Sequence, residues 1–205
     1  MVASIVNKLP SGFATPMRWA EAQLPHIDTL LLEQAHLEKK AAAGAIAFLF
    51  RLPMDSSLHR QLSALAREEL IHFERALKLL EQRSIAFVPQ ETSGYAKELK
   101  SAIRRDYADR LTDELLMAAI IEHRSHERMS LLANATKDQD SEVSSFYSYL
   151  CPAEERHEQL YLDLAKLVSG ADSANARHSE LVAHEARVLA SLEFQNRLHS
   201  GLPRN

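Results

Sequence analysis

Two short segments carry the residues most able to do chemistry. Residues 69–72 read Glu-Leu-Ile-His and residues 154–157 read Glu-Glu-Arg-His. On a helix, residues three apart share a face and stand roughly 4.5 Å apart along the axis. Both pairs also interrupt apolar stripes. One stripe runs Leu62, Leu65, Glu69, His72, Ala76, Leu79, and the other runs Tyr147, Leu150, Glu154, His157, Tyr161, Leu164. Ionisable groups on a core-facing stripe are costly unless they are paired or bind a metal. A carboxylate offers oxygen and a neutral imidazole offers nitrogen, so each pair can reach a single ion.

Two further stripes each contain one such intrusion. The first is Leu31, Ala35, Glu38, Ala42, Ala45, and the second is Leu115, Ala118, Glu122, Ser125, Met129, Leu132. Glu38 precedes Glu69 by 31 residues, and Glu122 precedes Glu154 by 32. The chain therefore reads as two copies of one plan, a helix with Glu followed by a return helix with Glu-x-x-His. Glu33 competes with Glu38 and Glu127 with Glu122, although their spacings of 36 and 27 break the symmetry. Four carboxylates and two imidazoles from four helices form the ligand set of di-iron and di-manganese carboxylate bundles. Iron is the leading metal and manganese the second. Periodicity alone leaves open iron oxidation and storage, peroxide removal, and oxygen activation.

The elements that must position these groups follow from caps and breakers. Thr15 and Pro16 predict the start of a short helix that ends at Pro25. Long helices are expected over about 28–51, 57–83, 112–133 and 141–168, with Asp28 and Thr112 as caps and a kink or break at Pro152. A shorter helix is expected over 94–109 and a last one over 173–198, with Leu181, Val188, Leu192 and Phe194 inward. The fold class is all-α: a four-helix bundle with additional short and C-terminal helices, in a single domain over residues 1–205.

Composition agrees with that reading. The 205 residues are 46% hydrophobic, with only 5 glycines, which favours helices. A single cysteine, Cys151, excludes an internal disulfide framework and a cysteine-rich metal site. It is expected to pack near the site. The first residues lack a secretion signal and no apolar run is long enough for a bilayer, so a cytoplasmic protein without a membrane partner is expected. The formal charge is −4, yet residues 94–110 hold five basic groups against three acidic.

The segments EQAHLEKKAA (33–42), LAREELIHFE (65–74), IIEHRSHERM (120–129) and CPAEERHEQLYLDLA (151–165) resemble the bacterial tRNA-(2-methylthio-N6-isopentenyladenosine) hydroxylases, the MiaE family, within the ferritin-like superfamily. The resemblance covers essentially the whole chain. It implies a ferritin-like bundle with a non-heme centre of two Fe ions, fed by an external electron donor, that uses O2 to hydroxylate a prenyl side chain beside the tRNA anticodon. Matched position by position, its catalytic metal ligands fall on Glu38, Glu69, His72, Glu122, Glu154 and His157. A tRNA anticodon arm is then the expected partner and the expected assembly is a monomer or dimer. Lys97, Lys100, Arg104, Arg105 and Arg110 are the leading docking residues, with Arg124, Arg128, Arg60 and Arg67 as further candidates. Tyr95 or Tyr107 would stack on a base. His36, His123 and His126 stay open between surface and site roles. His178, His184 and His199 are expected to face solvent or pack.

Overall fold

Four long helices supply the frame, and the expected boundaries hold to within a few residues for most of them. The computed structural model describes residues 13–203; the start of the chain, read above as lacking a secretion signal, lies largely outside that range. Among the described residues there are seven α-helices and no strand. They are α1 (Met17–Gln23), α2 (Ile27–Leu49), α3 (Ser56–Gln82), α4 (Tyr95–Lys100), α5 (Tyr107–Thr136), α6 (Ser141–Ser169) and α7 (Ala171–Ser191), with a 3-10 turn at Leu24–His26. No helix among them is long and apolar enough to cross a membrane.

α2 packs along α3 and α5 along α6, giving two antiparallel hairpins. Short connections leave antiparallel contact as the natural way to cover each apolar stripe. Asp55 caps α3 by accepting from the backbone N–H groups of Ser57 at 2.7 Å and Leu58 at 3.3 Å. Asp140 caps α6 through the Val143 N–H at 3.1 Å. The hairpins approach most closely at α3 and α6, whereas α2 and α5 stand further apart.

The core divides into two apolar masses. One contains Phe48, Leu62, Leu65, Leu115, Ile120 and Leu164, and the other contains Trp19, Leu31, Leu79, Leu132, Tyr147 and Leu150. In each long helix the candidate ligands fall between these two masses. The polar layer is thus closed above and below by packed side chains that exclude water.

Several expectations are corrected. Thr15 does not cap α1; Pro16 stands at the cap, and the Thr15 hydroxyl donates to Glu127 Oε2 at 2.5 Å. α4 stops at Lys100 because the buried Asp113 carboxylate accepts the Arg104 backbone N–H at 2.9 Å and its guanidinium at 2.7 Å, drawing the chain out of the helix. α5 starts at Tyr107 after Asp106, so Thr112 is a buried residue within the helix. α6 runs unbroken through Pro152. The residue whose carbonyl loses its partner there, Ser148, lies on the exposed face, where water can replace the missing bond.

α7 ends at Ser191, and the following chain is a tail that crosses the bundle. Its Leu198 N–H donates to Glu33 at 2.5 Å and its Gly201 N–H donates to the Glu193 carbonyl at 3.0 Å. A Cβ on Gly201 would lie 1.8 Å from the Leu192 carbonyl oxygen, so only glycine permits this return. Leu192 and Phe194 are partly buried on the apolar masses, although neither is helical.

Candidate metal centre

The structure brings all six sequence-derived residues into one buried cluster. Their exposures run from 0% at Glu69 to 6% at Glu122. The cluster resolves into two overlapping groups. Glu38, Glu69, His72 and Glu154 form one, and Glu69, Glu122, Glu154 and His157 form the other, each with donor atoms within 4.8 Å of one another. Each group has its own imidazole and its own outer carboxylate, and Glu69 and Glu154 belong to both.

One pair of donor atoms in the cluster converges without bonding. His157 Nδ1 and Glu69 Oε1 lie 2.8 Å apart, yet neither forms an aligned hydrogen bond. Buried polar atoms left in this way are costly unless something else binds them. His72 Nδ1 is 3.3 Å from Glu69 and 3.6 Å from Glu38. The set of carboxylate oxygens and imidazole nitrogens fits a pair of divalent first-row ions.

Electrostatics without ions describe a site that holds protons in their place. Burial, with the neighbouring Glu69 charge, pushes Glu38 up to about 8. Burial and Glu69 push Glu122 to about 7, and burial with three surrounding carboxylates drives Glu154 well above the usual range. Burial alone would raise Glu69 too, but the adjacent His157 and His72 imidazoles and the Glu38 carboxyl bring it to about 2. Burial alone would lower His72, but the Glu38 and Glu69 carboxylates beside it prevail and raise it to about 9.

A divalent ion must displace these protons, so its apparent affinity climbs as pH rises through about 7–8, where Glu38 and Glu122 ionise. Calorimetry in buffers of different ionisation heat is expected to show more than one proton released per chain at neutral pH. Loading with no proton release would mean that the carboxyls are already ionised.

The alternative residues are engaged elsewhere or lie outside the cluster. Glu33 is buried but holds the tail through Leu198 and lies 3.9 Å from Arg197. Glu127 accepts from Thr15 and Arg124. His123 is largely exposed and 3.2 Å from Glu158. His36 stacks on Phe87 and reaches the Val88 carbonyl, fixing the α3–α4 connector. His178 and His199 are buried, His184 meets the Glu98 carbonyl, and Cys151 is half-buried against Ser130.

Two contributors escape the sequence pattern. Gln34 donates to Glu38 Oε1 at 2.7 Å, a contact visible in sequence only as polar residues four apart. Glu68 lies 3.0 Å from His157 Nε2, so the His157 ring has carboxylates on both sides. Such an outer partner fixes ring orientation and tautomer. Its position beside Glu69 gives it the look of a surface residue.

A cavity of about 950 Å³ opens between α2 and α5. Glu38, Glu69, Glu122 and Glu154 line its buried end, and Leu37, Ala41, Gly44, Phe48, Met117 and Ile121 line its walls. Lys40, Lys100, Arg104, Arg105 and Arg110 line its outer part. Arg104 is bound to Asp113, and Arg110 to Glu114. Lys40, Lys100 and Arg105 are exposed and have no ion-pair partner among the described residues. Lys40 is an addition to the basic residues expected from sequence.

Lys97 is exposed away from the cavity lining, and Arg60 and Arg67 line a separate small pocket on α3. Arg124 and Arg128 are 1% and 0% exposed, so neither is a docking residue. Arg124 pairs with Glu185, and Arg128 lies 4.6 Å from the Trp19 ring. Tyr95 is also buried, bonded to Glu185 and stacked on His199, which removes it as a base-stacking platform; Tyr107 is exposed.

A four-helix bundle with a buried carboxylate–histidine cluster able to hold two metals is a ferritin-like carboxylate protein. Similarity to known proteins narrows that class. The profile of the family described as tRNA-(MS2IO6A)-hydroxylase (MiaE) matches residues 3–200, and the chain belongs to this family. It is 37% identical, over 94% of its length and 92% of the relative's, to the tRNA 2-(methylsulfanyl)-N(6)-isopentenyladenosine(37) hydroxylase of Pseudomonas putida. The protein of the same name in Salmonella typhimurium is 33% identical, over 85% of this chain and 74% of that one. Among solved structures, a Synechococcus protein described as having aldehyde deformylating oxygenase activity superposes with a TM-score of 0.87 at 34% identity, covering 95% of this chain and 97% of that one.

Proposed function

We propose that this protein is an O2-dependent monooxygenase that hydroxylates the isopentenyl side chain of 2-methylthio-N6-isopentenyladenosine in tRNA. Family membership and the names of two relatives support the reaction. The observation that carries it in this chain is a single cavity with the carboxylate–histidine cluster at one end and unpaired cations at the other. Free cations at a mouth suit phosphates, and apolar walls suit a prenyl arm. A shell for iron storage needs no such bore, and an aldehyde needs no cationic rim.

Two irons, held by Glu38, Glu69, His72, Glu122, Glu154 and His157, would supply the O2 activation. One oxygen atom enters the C–H bond and the other leaves as water, with two electrons from an external donor and two protons. The protein's own part is geometric and electrostatic. The four carboxylates neutralise the ions, the apolar masses keep bulk water from the reacting atoms, and Glu68 and Gln34 hold His157 and Glu38 in place.

The test is reaction of the reduced, iron-loaded protein with O2 and prenylated tRNA, followed by nucleoside mass analysis. The expected result is a gain of one oxygen atom on the modified adenosine. Unchanged nucleoside together with turnover of an aldehyde, or with rapid peroxide removal alone, overturns the reading. Changing Lys40, Lys100 or Arg105 to Ala is expected to weaken tRNA binding and to lower the salt slope by about 0.7–0.9 for each phosphate that is no longer neutralised.

A further inference from the structure

Gly44 stands inside α2, towards its C-terminal end, where glycine costs stability relative to alanine and needs a reason. Its backbone has no left-handed conformation, and a Cβ placed there would meet nothing within 4 Å. Packing against another part of the protein therefore does not explain it. Gly44 lines the cavity, with Ala41 and Ala47 one turn away on either side. Across the bore stand Met117, Ala118 and Ile121 of α5.

The space beside Gly44 leads to polar atoms that lack partners. Glu69 Oε1 and Gln34 Oε1 both belong to cavity-lining residues that are at most 1% exposed, and neither has a hydrogen bond. The Gln34 amide is already oriented by its bond to Glu38, leaving its oxygen as a free acceptor. The bore thus ends on acceptors and ligands, while its middle is kept open by a missing side chain.

We infer that Gly44 is a specificity-determining residue, its bare backbone leaving the width that a prenylated adenine needs to pass from the cationic rim to the cluster. This rests on the proposed hydroxylation and adds the element that selects its substrate. Along the helix, Gly44 lies about 9 Å beyond Glu38. A prenyl arm and its clearance at the cluster span a distance of that order, so the edge of the base falls level with Gly44. A flat ring can lie against an uncovered backbone where a branched side chain would collide with it.

The experiment compares wild type, Gly44→Ala and Gly44→Leu, each iron-loaded, on a prenylated anticodon stem-loop. Gly44→Leu is expected to lose at least about tenfold in kcat/KM, the scale on which pocket fit discriminates. It should keep wild-type iron content, and its binding of an unprenylated stem-loop, which engages the rim alone, should be unchanged. Gly44→Ala is expected to raise the melting temperature and to lose less turnover. Equal kcat/KM in wild type and Gly44→Leu overturns the assignment, as does a loss of iron or of unprenylated RNA binding that matches the loss of turnover. Should Gly44→Leu fail to fold, Gly44→Ala with turnover equal to or above wild type overturns it as well. Absence of turnover in the wild type would instead defeat the hydroxylase reading itself, so the two failures are distinct.

Discussion

Glu69→Ala and Glu154→Ala are each expected to deplete both metals, while Glu38→Ala and Glu122→Ala weaken mainly one. The asymmetry follows from the two overlapping groups, which share Glu69 and Glu154 but have separate outer carboxylates and imidazoles. Removing a shared carboxylate takes an oxygen donor from both positions and leaves the remaining ligands around an uncompensated pair of charges. Outer partners of ligands cost roughly 10–100-fold in affinity or activity, so a shared ligand should cost at least about a hundredfold in turnover. The check is metal content per chain after anaerobic ferrous loading, together with hydroxylation of prenylated tRNA. Helix content should be unchanged, because the cluster is a charged layer between two apolar masses that hold the fold. Near-full occupancy of two metals in Glu69→Ala would remove it from a bridging role. Equal behaviour of Glu38→Ala and Glu69→Ala would remove the distinction between shared and outer carboxylates.

The cluster is legible in the sequence because its chemistry breaks a periodic rule. Glu69, His72, Glu154 and His157 occupy positions where the stripe calls for hydrophobes, and the near-equal spacing to Glu38 and Glu122 points to one interior layer. Glu33 shows the limit of that logic. It is as deeply buried as Glu122, at 6%, but its partner is the backbone of Leu198, 165 residues away. No local pattern announces such a contact. The same is true of the basic groups. Arg124 and Arg128 fall in a polar-looking segment, yet Trp19 of α1, Glu185 of α7 and Leu198 of the tail close over them. Conversely, Lys40 acquires its place at the rim only because α2 and α5 stand apart. The short helix α4 is shorter than its sequence pattern suggests because Asp113, outside its window, competes for the Arg104 backbone. Local periodicity thus captures the helices and the buried carboxylate–histidine layer, while tertiary pairing decides which charges stay free.

Arg124→Ala is expected to be the most destabilising single change outside the metal layer. Arg124 Nε and Nη2 donate to the two Glu185 oxygens at 2.8 and 2.9 Å, and its Nη1 reaches Glu127 and Thr15. Glu185 is 2% exposed, and Tyr95 donates to the same carboxylate at 3.0 Å. Truncating the arginine leaves a buried carboxylate with a phenol as its remaining bonded partner, at a cost of about 3–5 kcal/mol. For a chain of this size that is a fall of roughly 6–20 °C in melting temperature. A double replacement, Arg124→Leu with Glu185→Leu, removes both charges and should recover much of the loss, because the penalty lies in the unpaired charge more than in the missing pair. Denaturant unfolding of the two singles and the double closes the cycle. Additive losses would show that the two residues do not act as a pair. Recovery in the double would show that this buried bridge chiefly sets how α5, which carries Glu122, is joined to α7.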